Sequence, residues 1–144
     1  MKIEANHVFQ VGPERLWDAL LDPMVLQKAM PGCDELKATG PDRYEATMTV
    51  GVAFVRGTYK GHVEISDKQP MSSYRLKAEG SGAAGYVVGD AHVALTPRDS
   101  GATLMTISGD ADVGGPVARV GQRLLEVVTR GMVKEFFSRV EQQL

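Results

Sequence analysis

The feature that most constrains this chain is a change of hydrophobic period near residue 115. From Leu36 to Val113 apolar residues alternate with polar ones, and from Pro116 to Leu144 they recur at helical spacing. Tyr44, Ala46, Met48, Val50 and Val52 share one side of the first alternating run; Tyr59, Val63 and Ile65 share one side of the next. Tyr74, Leu76 and Ala78, then Met105, Ile107, Ala111 and Val113, continue the pattern, while the opposite positions are largely Glu, Lys, Thr, Ser and Asp. Turn residues at Gly40-Pro41-Asp42, Asp67-Lys68-Gln69-Pro70 and Pro97-Arg98-Asp99-Ser100-Gly101 separate the runs, so the segment reads as an antiparallel meander with one apolar face. Such a face needs a cover, and the segment long enough to supply it is Pro116 to Leu144.

The residues before the meander add a strand and two short helices. Ile3, Ala5, His7 and Phe9 alternate up to Gly12-Pro13. Pro13 opens a helix carrying Leu16, Trp17, Leu20 and Leu21; Asp22-Pro23 closes it and opens a second, with Met24, Leu26 and Met30, stopped by Pro31-Gly32. The expected fold class is α+β: a curved antiparallel sheet with two short helices and a long C-terminal helix over its concave face, in one domain spanning 1–144. A length of 144 residues suits one domain and removes about two thirds of the extended-chain surface on folding, enough to enclose a cavity without a metal or disulfide staple.

Composition narrows the function classes. A net charge of −2 gives no electrostatic reason for a nucleic-acid partner. Cys33 is the one cysteine, which excludes an internal disulfide and a multi-thiolate zinc site and favours a reducing, cytoplasmic setting. The start Met1-Lys2-Ile3-Glu4 lacks the pattern of a secretory signal, so the mature protein is expected to begin near Met1. Charges and glycines interrupt every hydrophobic stretch before the roughly 20 residues needed to span a bilayer, so any membrane contact is expected to be peripheral.

The terminal helix is where function becomes legible. Val117, Val120, Leu124, Val128 and Met132 form its stripe, and Gly121 and Gly131 fall on or beside it, although a glycine inside a helix costs about 1 kcal/mol relative to alanine. The opposing sheet is rich in small residues, among them Ala78, Gly80, Gly82 to Gly85, Gly89 and Ala91. Either helix and sheet approach closely, or an apolar cavity remains that holds a hydrophobic molecule. On the cavity reading its walls are His7, Trp17, Met24, Met30, Val50, Tyr59, Tyr74, Leu76, Tyr86, Ala91, Met105, Val120, Gly121, Leu124, Val128 and Met132.

Catalytic and metal chemistry find little support in the sequence. His7, His62 and His92 are scattered without ligand spacing, and a lone inward histidine is more often a hydrogen-bonded core residue. Asp110 and Asp112 fall on the outer face, Glu135 beside a drifting stripe, and Cys33 reads as an inert thiol. An enzyme would need His7 to converge with Tyr59 or Glu135 in one pocket; a ligand-free assembly factor would use an apolar patch around Met24 and Met30.

The motifs Leu21-Asp22-Pro23, Met30-Pro31-Gly32-Cys33, Tyr44-Glu45-Ala46-Thr47 and Val55-Arg56-Gly57-Thr58-Tyr59-Lys60-Gly61 occur in that order. They are followed by Gly82-Ala83-Ala84-Gly85-Tyr86, Gly89-Asp90-Ala91, Val113-Gly114-Gly115 and Glu135-Phe136-Phe137. Through these motifs nearly the whole chain resembles the CoxG family of carbon monoxide dehydrogenase subunits, within the START-like (SRPBCC) helix-grip superfamily. The resemblance implies a noncatalytic accessory to a molybdenum hydroxylase such as carbon monoxide dehydrogenase, recruited to the inner face of the cytoplasmic membrane. It implies a quinone or other lipid as bound ligand, with no metal or covalent cofactor and no catalytic residues. The chain departs from longer members in ending at Leu144 without a proline-rich extension and membrane-binding tail, and in having Pro116 where lysine is common.

Overall fold

A computed structural model describes residues 1–51 and 55–144. Seven antiparallel strands form one sheet in the order β1-β7-β6-β5-β4-β3-β2. They are β1 (Lys2–Phe9), β2 (Cys33–Gly40), β3 (Arg43–Val50), β4 (Gly57–Gln69), β5 (Ser73–Gly82), β6 (Gly85–Pro97) and β7 (Thr103–Gly114). Helices α1 (Pro13–Leu20) and α2 (Pro23–Ala29) join β1 to β2, and α3 (Gln122–Gln142) ends the chain. This is the expected helix-grip architecture: β2 to β7 pair successively in a meander, with register shifts in the β2–β3 and β4–β5 pairs, and β1 pairs with β7. The expected inward position of Val52 lies outside the described residues.

Local chemistry sets the element ends. Pro13 and Pro23 occupy first-turn positions, where a missing N–H costs nothing, and the Asp22 carboxylate accepts the Met24 N–H at 2.9 Å to cap α2. On β1 the side chains of Lys2, Glu4 and Asn6 are exposed and those of Ile3, Ala5 and His7 half-buried, leading to Phe9, which is fully buried.

The start of the last helix differs from the expectation. Pro116–Val120 form a 3-10 turn, Gly121 adopts φ 94°, and α3 begins only at Gln122. A positive φ at Gly121 breaks helical continuity, so its glycine serves the turn rather than the helix interior. The turn is pinned to the sheet by Val117, whose side chain is buried and whose N–H donates to the Ala84 carbonyl at 2.7 Å. The run Gly82 to Gly85, expected on the sheet face, is in fact the end of β5, a two-residue turn at Ala83 and Ala84, and the start of β6.

The core is concentrated at one end of the sheet. Leu16, Trp17 and Leu20 of α1 pack with Phe9, Tyr74, Val93, Leu95 and Met105 from the strands and with Phe137 and Val140 of α3. Phe137 and Val140 are the buried residues of α3, both in its second half. Its first half therefore covers the sheet without being sealed into it.

Candidate functional site

Under the first half of α3 the concave face does not fill. Leu125, Val128, Thr129 and Met132 point inward at i, i+3, i+4 and i+7, and the sheet below them offers Ala46, Ala78, Gly80 and Ala111. Small side chains opposite a helix that is held off leave a cavity of about 380 Å³. Met48 and Val50 of β3, Tyr59 and Val63 of β4, Val87 of β6 and Val113 of β7 continue the lining, together with Val55, Val117, Met30, Ile3 and Met1. Gly61 lets β4 and β5 approach closely there, because a Cβ at that position would collide with the Glu79 carbonyl. Lys60, His62 and Glu79 border this thin stretch of sheet, with their own side chains exposed.

The cavity lining is almost wholly hydrocarbon and thioether, and its two hydroxyls are already engaged. The Tyr59 phenol donates to the Val55 carbonyl at 2.9 Å, and burial raises its pKa. The Thr129 hydroxyl donates to the Leu125 carbonyl at 2.8 Å, back along its own helix. A lipophilic guest would gain by removal of its surface from water; a polar one would find few partners.

Of the residues expected at the site, Met30, Val50, Tyr59, Val128 and Met132 line the cavity together. The others lie elsewhere. Trp17 and Tyr74 meet edge to face at 5.7 Å in the packed core, with Met105 fully buried and Leu76 packed against the same cluster. Burial raises the Tyr74 phenol far above its ordinary value. Ala91 is inward on β6 but pairs with Leu76 and Gly109, beyond the cavity. Met24 is 71% exposed, Leu124 is 43% exposed, and Tyr86 projects outward with its ring over Gly114. Val120 and Gly121 belong to the turn before α3.

Gly131 and Gly121 are both exposed, and a Cβ built on either meets nothing within 4 Å, so neither glycine makes room for a ligand. The space comes from the alanines and Gly80 of the sheet. A helical phase counted from Pro116 misses Leu125 and Thr129, because it runs through a turn that is not α-helical. The correct phase is visible once Gly121 is taken as a break. Ala46, Met48, Ala78, Ala111 and Val113 carry a usable signal, since the same two-residue alternation places them inward.

His7 lines a neighbouring groove between β1 and α3. Its ring stacks on Phe137 at 5.3 Å and meets Phe9 edge to face at 4.7 Å. Nε2 lies 3.6 Å from the Glu141 carboxylate, too far for a hydrogen bond, and is a buried atom without a hydrogen-bond partner. Glu135 is exposed and paired with Arg139 at 2.9 Å. His7, Tyr59 and Glu135 thus share no pocket. Cys33 is half-buried, and its pKa is raised by burial, with the Asp34 charge adding to the rise. Among the described residues no group of His, Cys, Asp and Glu is arranged to hold a metal ion.

Comparison with known proteins agrees with this architecture. The model of the CoxG family, described as a subunit of carbon monoxide dehydrogenase, matches residues 7–144. A crystal structure of a conserved protein from Geobacillus kaustophilus superposes with a TM-score of 0.96 at 32% identity, covering 99% of this chain and 94% of that one. A START superfamily protein from Mycobacterium smegmatis superposes with a TM-score of 0.75 at 9% identity, covering 99% and 95%, and so shares the fold. No curated protein matches the chain significantly.

Proposed function

This chain belongs to the CoxG family of carbon monoxide dehydrogenase subunits, and on that premise we propose that it is a noncatalytic protein that binds a lipophilic small molecule in the cavity under α3. The observation that carries the reading is the cavity itself: about 380 Å³ walled by Met, Val, Leu and Ala, with the Tyr59 and Thr129 hydroxyls both engaged by backbone carbonyls. That volume lies within the range of small-molecule sites, and its few polar groups suit a guest held by area rather than by hydrogen bonds.

The family's description names carbon monoxide dehydrogenase; the partner to test is a molybdenum hydroxylase of that type, with this chain as its accessory at the inner face of the cytoplasmic membrane. A quinone-like electron acceptor is a ligand suited to such a partner, since its ring and isoprenoid tail are apolar. Among the described residues no helix is long and apolar enough to cross a membrane. Native mass spectrometry of the purified protein, with organic extraction of what copurifies and with added menaquinone, tests the reading. A lipophilic adduct at one per chain is expected; protein that is repeatedly empty and takes up neither menaquinone nor any extracted lipid refutes it.

A further inference from the structure

Helix α3 turns two neighbouring faces toward β1. One face sends Leu125, Val128 and Met132 into the cavity; the next runs Glu126, Arg130 and Lys134 along a second groove of about 610 Å³, whose other bank is β1 from Lys2 to His7. Met1, Ile3 and Thr129 line both spaces and stand at their common boundary. From this adjacency we infer that the groove is a head-group subsite through which the cavity also takes a second class of guest, a single-chain amphiphile with a carboxylate or phosphate head lying over Arg130 and Lys134. The inference rests on the reading that the cavity takes a lipophilic guest.

Three observations favour an anionic head. Among the described residues neither Arg130 nor Lys134 is paired with a carboxylate, whereas on either side of them Arg139 is held by Glu135 and Lys2 faces Glu4 at 3.4 Å. The two carboxylates that line the groove are engaged, Glu4 by Lys2 and the half-buried Glu126 by a hydrogen bond from Gln122 at 3.1 Å. His7 Nε2, on the opposite bank, is buried without a hydrogen-bond partner, which a ligand atom in the groove would supply.

Spacing agrees with a ligand that spans both sites. From Thr129, at the boundary, to Lys134 the helix rises ~7.5 Å, so a head there lies just beyond a chain buried in the cavity. Charge-assisted hydrogen bonds from a guanidinium and an ammonium would hold a carboxylate or phosphate more strongly than a neutral hydroxyl. The apolar cavity binds the chain, and the groove selects the head.

The test is displacement of an apolar fluorescent probe by dodecanoate, dodecyl phosphate and dodecanol, each below its aggregation concentration. It is run on the wild-type protein and on a variant carrying Arg130→Gln and Lys134→Gln, two exposed positions whose replacement leaves the core untouched. The wild type should bind both anions about tenfold more tightly than dodecanol, and the variant should bind all three within about twofold while keeping its affinity for dodecanol. Equal affinities in the wild type, or an anion preference that survives in the variant, would overturn the head-group subsite and leave the cavity reading standing. Failure of all three ligands to displace the probe would overturn both.

Discussion

The Tyr59 hydroxyl donates to the Val55 carbonyl at 2.9 Å, so the phenol in the wall of the cavity is turned to the protein's own backbone. It latches the start of β4 to the segment before it and leaves the guest an aromatic face. Tyr59→Phe should therefore cost about 0.5–1.5 kcal/mol of stability through the lost hydrogen bond while ligand affinity stays within about twofold. Chemical denaturation and probe titration on the same preparation check both parts; a large loss of affinity at unchanged stability would mean that the phenol meets the ligand.

The two halves of α3 should respond differently to truncation. Phe137 is buried against Phe9 and His7, and Phe137→Ala should cost about 3–5 kcal/mol. Val127 is 54% exposed, and Val127→Ala should stay within about 0.5 kcal/mol. Denaturant midpoints for the pair measure whether the core sits at the far end of the helix.

Gly131→Ala should stabilise the protein by up to about 1 kcal/mol, because alanine is the better helix former and its Cβ meets nothing within 4 Å. Ligand affinity should not change. A loss of affinity would return this glycine to the site, where helical spacing alone puts it.

Alkaline conditions should reveal Tyr74. Burial holds its phenol well above the ordinary value, so the neutral form is favoured in the folded state. The resulting stability is fully present below the unfolded pKa of about 10 and is lost as pH rises from there toward the folded value. Tyr44 and Tyr59, whose pKa values are also raised by burial, act in the same direction. Tyr74→Phe should flatten the decline of stability between about pH 10 and 12 relative to the wild type.

Why the fold is readable in the sequence and the site only partly so follows from how each is encoded. Alternation along β3, β5 and β7 states which side chains share a face, and the prolines at 13 and 23 state where the short helices begin. Faces, however, do not tell where along a strand packing ends and a cavity starts. Tyr74 and Ala78 lie on the same face of β5, four residues apart, yet the first is core and the second is wall. That division depends on where α1 and the second half of α3 come down on the sheet, a long-range fact absent from any local pattern. Leu125 and Thr129 are hidden differently: the break at Gly121 shifts the helical phase, and its sign is a positive φ that residue type only hints at.

The space under α3 is either an open binding site or a loosely packed part of the core, and Val128 separates the two. It lines the space from the helix, and tryptophan there would occupy the cavity; in a filled core the same change would overpack and cost about 1–3 kcal/mol. Native mass spectrometry of wild-type and Val128→Trp protein, incubated side by side with the same lipophilic ligand, measures this directly. An open site predicts an adduct on the wild type and about tenfold weaker binding by a variant that remains folded to within about 1 kcal/mol of wild-type stability. Equal occupancy of both proteins, or a variant that is strongly destabilised while the wild type stays empty, would contradict it.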